Sequence, residues 1–287
     1  MSKHAINNLL QLNLATLLIS TSGVLGKYIA MPSEVIIWWR AFLAVLFLFL
    51  YCKYKNIKIG LHTKKDAPTM ILSALFLGAH WITYFYALKL SNVALGMLSL
   101  FTFPIITALL EPLFVKVKLH PIHILFGIMI LLGVYLLVPE FSLESADVKG
   151  ILFGVLSALC YSFRVLILKR HVDHYHGTTL MLYQLVVIAI VLFPLIFIFD
   201  SSAITTEYPY VVLLALITTA IGHTLFVQSL KHFSVSTASI IASIQPIYGI
   251  ILAFVFLGEK PTTNVYLGGA LIVATVVIES LRSAKKT

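Results

Sequence analysis

Charge is what this sequence has least of. Asp, Glu, Lys and Arg make up 11% of its 287 residues, against about 25% in soluble domains, and that excludes an ordinary water-soluble fold. Cysteine is nearly absent. Cys52 and Cys160 both lie in apolar stretches and read as small hydrophobes, so a disulfide framework and a thiolate metal site are excluded. There is no GxxxxGK[ST] loop, which excludes ATP drive within this chain. Long polar connections are missing too. The longest, about 53 to 67, is KYKNIKIGLHTKKDA, too short for a folded extramembrane domain. A formal charge of +9 raises the question of nucleic acid, but no soluble face gathers the basic residues. The run HVDHYH at 171–176 has no cysteine and no HExxH frame, so it reads as a solvated basic loop rather than a zinc site. No cofactor and no metal are expected.

What the chain has is apolar length. Hydrophobic residues make up 60% and the mean hydropathy is +1.01. Ten spans can be drawn, at roughly 9–29, 34–52, 68–90, 93–115, 121–138, 149–168, 178–199, 209–230, 235–257 and 263–281, most near the ~20 residues a crossing helix needs. No small-residue cleavage site follows the first span, so it is not read as a signal peptide. Basic residues set the orientation. With the N-terminus cytoplasmic, fourteen fall on the cytoplasmic side, including Lys3, Lys53, Lys64, Lys116, Lys118, Arg170, Arg282, Lys285 and Lys286. Four fall outside (Lys27, Lys89, Lys149 and Lys260), together with acids such as Glu140 and Glu207. Both termini are expected in the cytoplasm.

The stretch SVSTASIIASIQPIYGIILAFVFLGEK, 234–260, has a counterpart 142 residues earlier, NVALGMLSLFTFPIITALLEPLFVKVK, 92–118. The matched pairs include Lys89/Lys231, Pro104/Pro246, Lys118/Lys260 and Gly127/Gly269. This reads as an internal duplication with halves at 1–145 and 146–287. Five crossings per half turn the second half upside down. The fold class expected is therefore an all-α integral membrane protein of ten transmembrane helices in two inverted five-helix repeats. Inverted repeats place a substrate site near the midplane, where one half can rock against the other. That points to transport of a small-molecule substrate across the cytoplasmic membrane. Internal symmetry can complete the path in one chain, so a monomer is expected.

Ten spans, short loops, a proline in spans four and nine, and the segment QPIYGIILAFVFLGEKPT resemble the EamA-type proteins of the drug/metabolite transporter superfamily. The resemblance covers essentially the whole chain. It departs at one point: Val117 stands where the second half has Glu259. The resemblance implies a central cavity among spans 1, 3, 4, 6, 8 and 9. It also implies secondary transport, often export of amino acids or other small metabolites.

Polar groups inside spans are candidates by default. His80 and His223 occupy comparable mid-span places in the two halves and read either as packed histidines or as contacts to substrate or proton. Glu111 and Arg164 lie at matching depth and either pair across a cavity or snorkel separately. Arg40, after Trp38 and Trp39, reads as part of an aromatic belt with the guanidinium reaching headgroups. Trp81, Tyr84, Phe103, Tyr161, Tyr183 and Tyr248 are candidates to line a cavity, or are core and belt. Ser236, Ser239, Ser243 and Pro246 share a small, polar helix face. Gln184, Gln228 and Gln245 are costly to leave unpaired, with Gln245 beside the break. Pro104 and Pro246 free the carbonyls of Leu100 and Ala242 and are candidate hinges. An alternative reading is a membrane-embedded enzyme acting on a lipid-linked substrate, but that needs acids, histidines or a nucleophile clustered at one interface. A passive channel needs a continuous polar stripe.

Overall fold

A computed structural model describes residues 3–61, 63–114, 121–137, 142 and 144–284, with side chains apart from those at 3–5, 123–124, 236–237, 240, 276 and 279–284. Lys116, Lys118, Glu140, Lys285 and Lys286, and the side chains of Lys3, Ser236 and Arg282, lie outside the described residues.

Hydrocarbon offers a backbone no partners beyond its own, so a spanning chain closes its hydrogen bonds within helices. Most of the described residues are helical, with no strand among them. In order they form α1 (Lys3–Tyr28), α2 (Ser33–Tyr54), α3 (Ala67–Leu90), α4 (Val93–Leu100), α5 (Phe103–Phe114), α6 (Pro121–Leu136), α7 (Ala146–Lys169) and α8 (Gly177–Leu192). Then follow α9 (Ile204–Leu213), a π-helical segment (Leu214–His223), α10 (Thr224–Ser229), α11 (Val235–Ile241), a 3₁₀ turn (Ala242–Ile244), α12 (Gln245–Leu257) and α13 (Thr263–Ala284). Among the described residues seven helices are long and apolar enough to cross a membrane, and three further apolar stretches lie within α6 (Leu125–Leu136), along the 3₁₀ turn and α12 (Ala242–Leu257) and within α13 (Thr263–Thr275). Two long crossings are composite. Val93–Phe114 joins α4 and α5, and Ile204–Ser229 joins α9, the π segment and α10.

The two prolines mark the interruptions. Residues 101 and 102 separate α4 from α5 just before Pro104. Ala242–Ile244 separate α11 from α12 just before Pro246. The carbonyl of Ala242, which Pro246 leaves without an amide four residues on, accepts from Gln245 N–H in the 3₁₀ turn instead.

The helices pack in pairs: α3 on α7, α1 on the π segment, α4 on α7, α1 on α12, α2 on α8, and α6 on α13. Small residues set the closest approaches. A β-carbon on Gly154 of α7 would lie 1.9 Å from Ser99 Oγ of α4, and one on Gly249 of α12 would lie 1.8 Å from Met97 Sδ. The bundle's outside is apolar, with Leu10, Leu131, Ile190 and Phe256 more than half exposed, as lipid contact requires.

Helix ends are tied by side chains. Asn92 Oδ1 accepts from Leu95 N–H at 2.9 Å, and Glu259 Oε2 accepts from Val93 N–H at 2.9 Å. The acid of the LGEK sequence after α12 thus caps α4. Lys27 Nζ donates to the carbonyls of Leu88 (2.8 Å) and Ser91 (2.6 Å) beside the same cap.

The HVDHYH segment is only partly solvated, which corrects the sequence reading. His171 and Tyr175 are buried. His171 Nε2 lies 2.9 Å from Thr69 Oγ1, and Tyr175 donates to Asp66 Oδ2 at 2.6 Å. His176 caps α8 by accepting from Thr178 N–H. Burial pushes the His171 imidazole below its ordinary pKa, outweighing the Asp66 carboxylate 4.0 Å away, which acts the other way.

Candidate functional site

Midway along α3, His80, Trp81 and Tyr84 turn inward and are buried. They border a cavity that also takes Ile19 and Ser22 from α1, Met97, Leu100, Phe101 and Phe103 around the α4–α5 break, Tyr161 from α7, His223 from the π segment, and Gln245 from the α11–α12 break. Its walls therefore come from spans 1, 3, 4, 6, 8 and 9. Both proline breaks lie on its rim.

The two chain halves meet here through aromatic rings. His80 lies 4.6 Å from Tyr161 between ring centroids, and Tyr161 lies 4.9 Å from Phe103. Trp81 meets His223 edge-on at 5.3 Å. Ser157 of α7 holds His80: its Oγ lies 2.7 Å from Nδ1 and 2.8 Å from the His80 carbonyl. His80 is thus a positioned histidine. His223 differs, because its Nδ1 is buried without a partner. Trp81 Nε1 and Tyr84 Oη are likewise buried and unpartnered. Buried polar groups normally find partners, so three unpartnered polar atoms on residues that line one cavity mark it as a place for a ligand or water.

The cavity is narrow. It has about 30 Å³ open to water-sized molecules, enough for a water, which needs roughly 10–15 Å³ by this measure, and too little for a metabolite. Larger hollows of about 440–540 Å³ lie elsewhere but are walled mainly by apolar side chains. Chemistry rather than size distinguishes the central cavity, and admitting a metabolite requires the helices around it to part.

Arg40 departs most from its sequence reading. It is not part of a belt: it is fully buried. Its Nε donates to Thr219 Oγ1 at 2.5 Å and its Nη1 to Ser22 Oγ at 3.4 Å. Its guanidinium carbon lies 4.0 Å above the Trp81 ring. Trp38 beside it is buried as well and donates its indole N–H to the Ala189 carbonyl at 2.9 Å. The reason is local. Thr219 sits on the π segment and donates its own hydroxyl to Leu214 O, five residues back. That widened turn turns a hydroxyl oxygen toward α2, where an inward guanidinium finds an acceptor.

The pairing of Glu111 with Arg164 is also corrected. Arg164 is fully buried, and its Nη2 donates to Gln184 Oε1 at 2.9 Å and contacts Met181 Sδ at 3.7 Å. Its other nitrogens have no hydrogen-bond partner, so Glu111 is not bonded to it. Glu111 lies half-buried on α5. Gln184 donates onward to Ser73 Oγ at 2.7 Å. Ser243 bonds the Ser239 carbonyl of its own helix at 3.0 Å and is not part of the cavity wall. Tyr183 reaches the Ile59 carbonyl, and Tyr248 is half-buried; neither lines the cavity. The sequence reading did not single out Ser22, Met97, Phe101, Ser157 or Thr219. Only Met97 and Phe101, close to the Pro104 break, carried a signal by which they could have been found.

Relatives share this framework. The EamA-like transporter family matches residues 8–138 and again 148–281. An uncharacterized transporter of Archaeoglobus fulgidus is 26% identical over 68% of this chain and 70% of its own. The transporter YwfM of Bacillus subtilis is 25% identical over 79% and 78%. The pseudopaline exporter CntI of Pseudomonas aeruginosa is 21% identical over 86% of each chain. A crystal structure covering 97% of this chain and 98% of its own superposes with a TM-score of 0.74 at 19% identity, a likeness of fold alone. The family match spans nearly the whole chain in two successive stretches, and this multi-pass membrane protein belongs to the EamA-like transporter family.

Proposed function

We propose that the protein is a secondary active transporter that moves a small organic metabolite, amino acid-like or drug-like, out across the cytoplasmic membrane by alternating access. The observation that carries the reading is the meeting of both proline-broken spans at one cavity with unpartnered polar atoms. A helix break at membrane depth is tolerated where it borders protein or a cavity, and two breaks facing one site let it open alternately to either side.

The finer architecture proposed is ten crossings in two inverted halves, 1–145 and 146–287, with both termini cytoplasmic, working as a monomer. Seven long apolar helices and three further apolar stretches among the described residues support the count. The contacts support paired halves: α3 on α7 has a counterpart in the π segment on α1, and α5 on α7 in α12 on α1. The named Pseudomonas relative is an exporter, which favours the outward direction. An enzyme acting on a lipid-linked substrate is not favoured, since the curated relatives above are named as transporters or exporters and the polar atoms gather at a mid-bundle cavity.

The test is reconstitution. Proteoliposomes holding the protein should accumulate one or more solutes from a labelled metabolite mixture, and ionophores should abolish that accumulation. Chemical change of the solute without translocation would overturn the transport reading, and accumulation indifferent to ionophores would overturn ion coupling.

A further inference from the structure

Arg40 is a buried cation without a counter-ion. Among the described residues no carboxylate stands within 4.0 Å of it. The one acid on its own helix, Glu34, is six residues away and accepts from Tyr86 Oη at 2.5 Å. Its neutral partners, Thr219, Ser22 and the Trp81 ring, leave Nη2 buried and unpartnered. Arg164 is in a similar condition, with the neutral partners Gln184 and Met181 and the Tyr161 ring 5.4 Å away. An unpaired charge at membrane depth is expensive, and such residues mark substrate or ion pathways.

Arg40 stands directly behind the cavity wall. Ser22 and Trp81, which it touches, both line the cavity. Among the described residues the wall itself carries no Asp, Glu, Lys or Arg. Its unpartnered atoms include two that can only donate or readily donate, Trp81 Nε1 and Tyr84 Oη. Lining residues that carry unpartnered donors, a guanidinium behind them with no carboxylate partner among the described residues, and aromatic rings around describe a site for an anion attached to an apolar body. A phosphate dianion would call for several direct guanidinium or ammonium contacts. A carboxylate, with one negative charge, matches one guanidinium supplemented by neutral donors.

We propose that the transported substrate is an organic carboxylate whose charge is balanced by Arg40 and whose carboxylate oxygens are taken by the Trp81 and Tyr84 donors. This rests on the transport reading above. It makes Arg40 the residue that selects the substrate's charge.

The experiment uses the purified full-length protein in detergent and four probes of one shape: phenylacetate, phenylacetamide, phenethylamine and phenyl phosphate. Phenylacetate should raise the melting temperature saturably, and the amide and amine should not. Arg40→Gln should weaken the phenylacetate response about tenfold or more, and Arg40→Lys should restore part of it, as expected for a charge-assisted contact. Trp81→Phe and Tyr84→Phe keep their rings and lose one donor each, so each should weaken phenylacetate several-fold, which keeps the test open if Arg40→Gln does not fold. The proposal is overturned by equal response to the amide, by an unchanged response in Arg40→Gln, by stronger response to phenyl phosphate, or by no saturable response to phenylacetate. Counterflow in proteoliposomes reads the transport premise separately. Arg40-dependent stabilisation with no counterflow of any solute sinks transport and keeps the carboxylate site. Counterflow of phenylacetamide equal to phenylacetate keeps transport and sinks the site.

Discussion

Arg164 illustrates what a single side chain needs at membrane depth. Its guanidinium bonds Gln184, and Gln184 bonds Ser73, so α7, α8 and α3 are joined by three side chains. Removing the amide strands the cation. Gln184→Leu is expected to destabilise the protein by about 1.5–3 kcal/mol, the range for a hydrogen bond to a charged group, read as a fall in midpoint during denaturation in detergent. The exchange Glu111→Arg with Arg164→Glu should rescue nothing, because the partner of Arg164 is on α8 and not on α5; recovery of folding in that double variant would contradict the Gln184 assignment. These side chains also mark the limit of sequence reading. That His80, Trp81, Tyr84, Phe103, Tyr161, His223 and Gln245 deserved attention was legible, since a polar or aromatic residue inside an apolar span is visible in one line of text. Where a long side chain points was not legible. Arg40 after two tryptophans looks identical whether it rises to headgroups or turns inward, and the choice is made by Ser22, Thr219 and Trp81 on three other helices.

At the scale of elements, the breaks in the fourth and ninth spans were readable because proline has no amide proton to give. The π segment was not readable, since LALITTAIGH has no proline and its widened turn is fixed by packing and by Thr219. The broken ninth span yields a prediction about turnover. In Pro246→Ala the Ala242 carbonyl regains an amide four residues on, and the 3₁₀ turn should anneal into continuous helix. If the break is a hinge, binding persists and transport rate falls about tenfold or more, since a gating step then limits turnover; unchanged rates in Pro104→Ala with Pro246→Ala would end the hinge proposal. The cap from Glu259 to α4 closes the same pair of spans at their other ends. Its loss in Glu259→Gln removes a charge–dipole interaction of about 0.3–1 kcal/mol. A cysteine at Leu100, on the cavity wall, should then react faster with an impermeant maleimide added outside; slower or equal reaction would deny the cap a part in closure. A pH-dependence belongs to the contact between the 63–69 and 170–176 segments. The folded pKa of His171 is held below its unfolded value by burial, so the neutral form is preferred in the docked state. The stability this contributes is fully present above the unfolded value of about 6.5 and is lost as pH falls toward the lowered folded value. Hydrogen exchange at amides 64–69 should therefore quicken below that point in the wild type and lose its pH step in His171→Asn.

The whole molecule is the scale at which the sequence spoke most plainly and at which physics constrains most. Low charge and spans of about 20 apolar residues leave helices as the economical solution in lipid, and the described chain takes it. The span boundaries drawn from hydropathy fall within a few residues of the helices throughout, including α6 (Pro121–Leu136), the run from α11 through α12, and α13 (Thr263–Ala284) for the fifth, ninth and tenth spans. What hydropathy does not contain is which side of the membrane each end occupies; only the distribution of Lys and Arg bears on that. The segment 53–67 carries Lys53, Lys55, Lys58, Lys64 and Lys65, whereas the 139–149 region carries Glu140, Glu144 and Asp147 against Lys149 alone. Moving the first segment across against the membrane potential would cost about 2.3 kcal/mol per charge per 100 mV, so the basic segment is expected inside. Single cysteines at Lys64 and Ser145, both outside the long apolar helices save for the 3₁₀ turn leading into α3, are then expected on opposite sides. In a background with Cys52 and Cys160 replaced, an impermeant maleimide added to intact cells should label the cysteine at 145 and spare the one at 64 until the membrane is opened. Labelling of both from outside would require an odd crossing to be lost from the first half, and the second half would then no longer be inverted relative to it; alternating access between mirror-placed breaks would fall with that result.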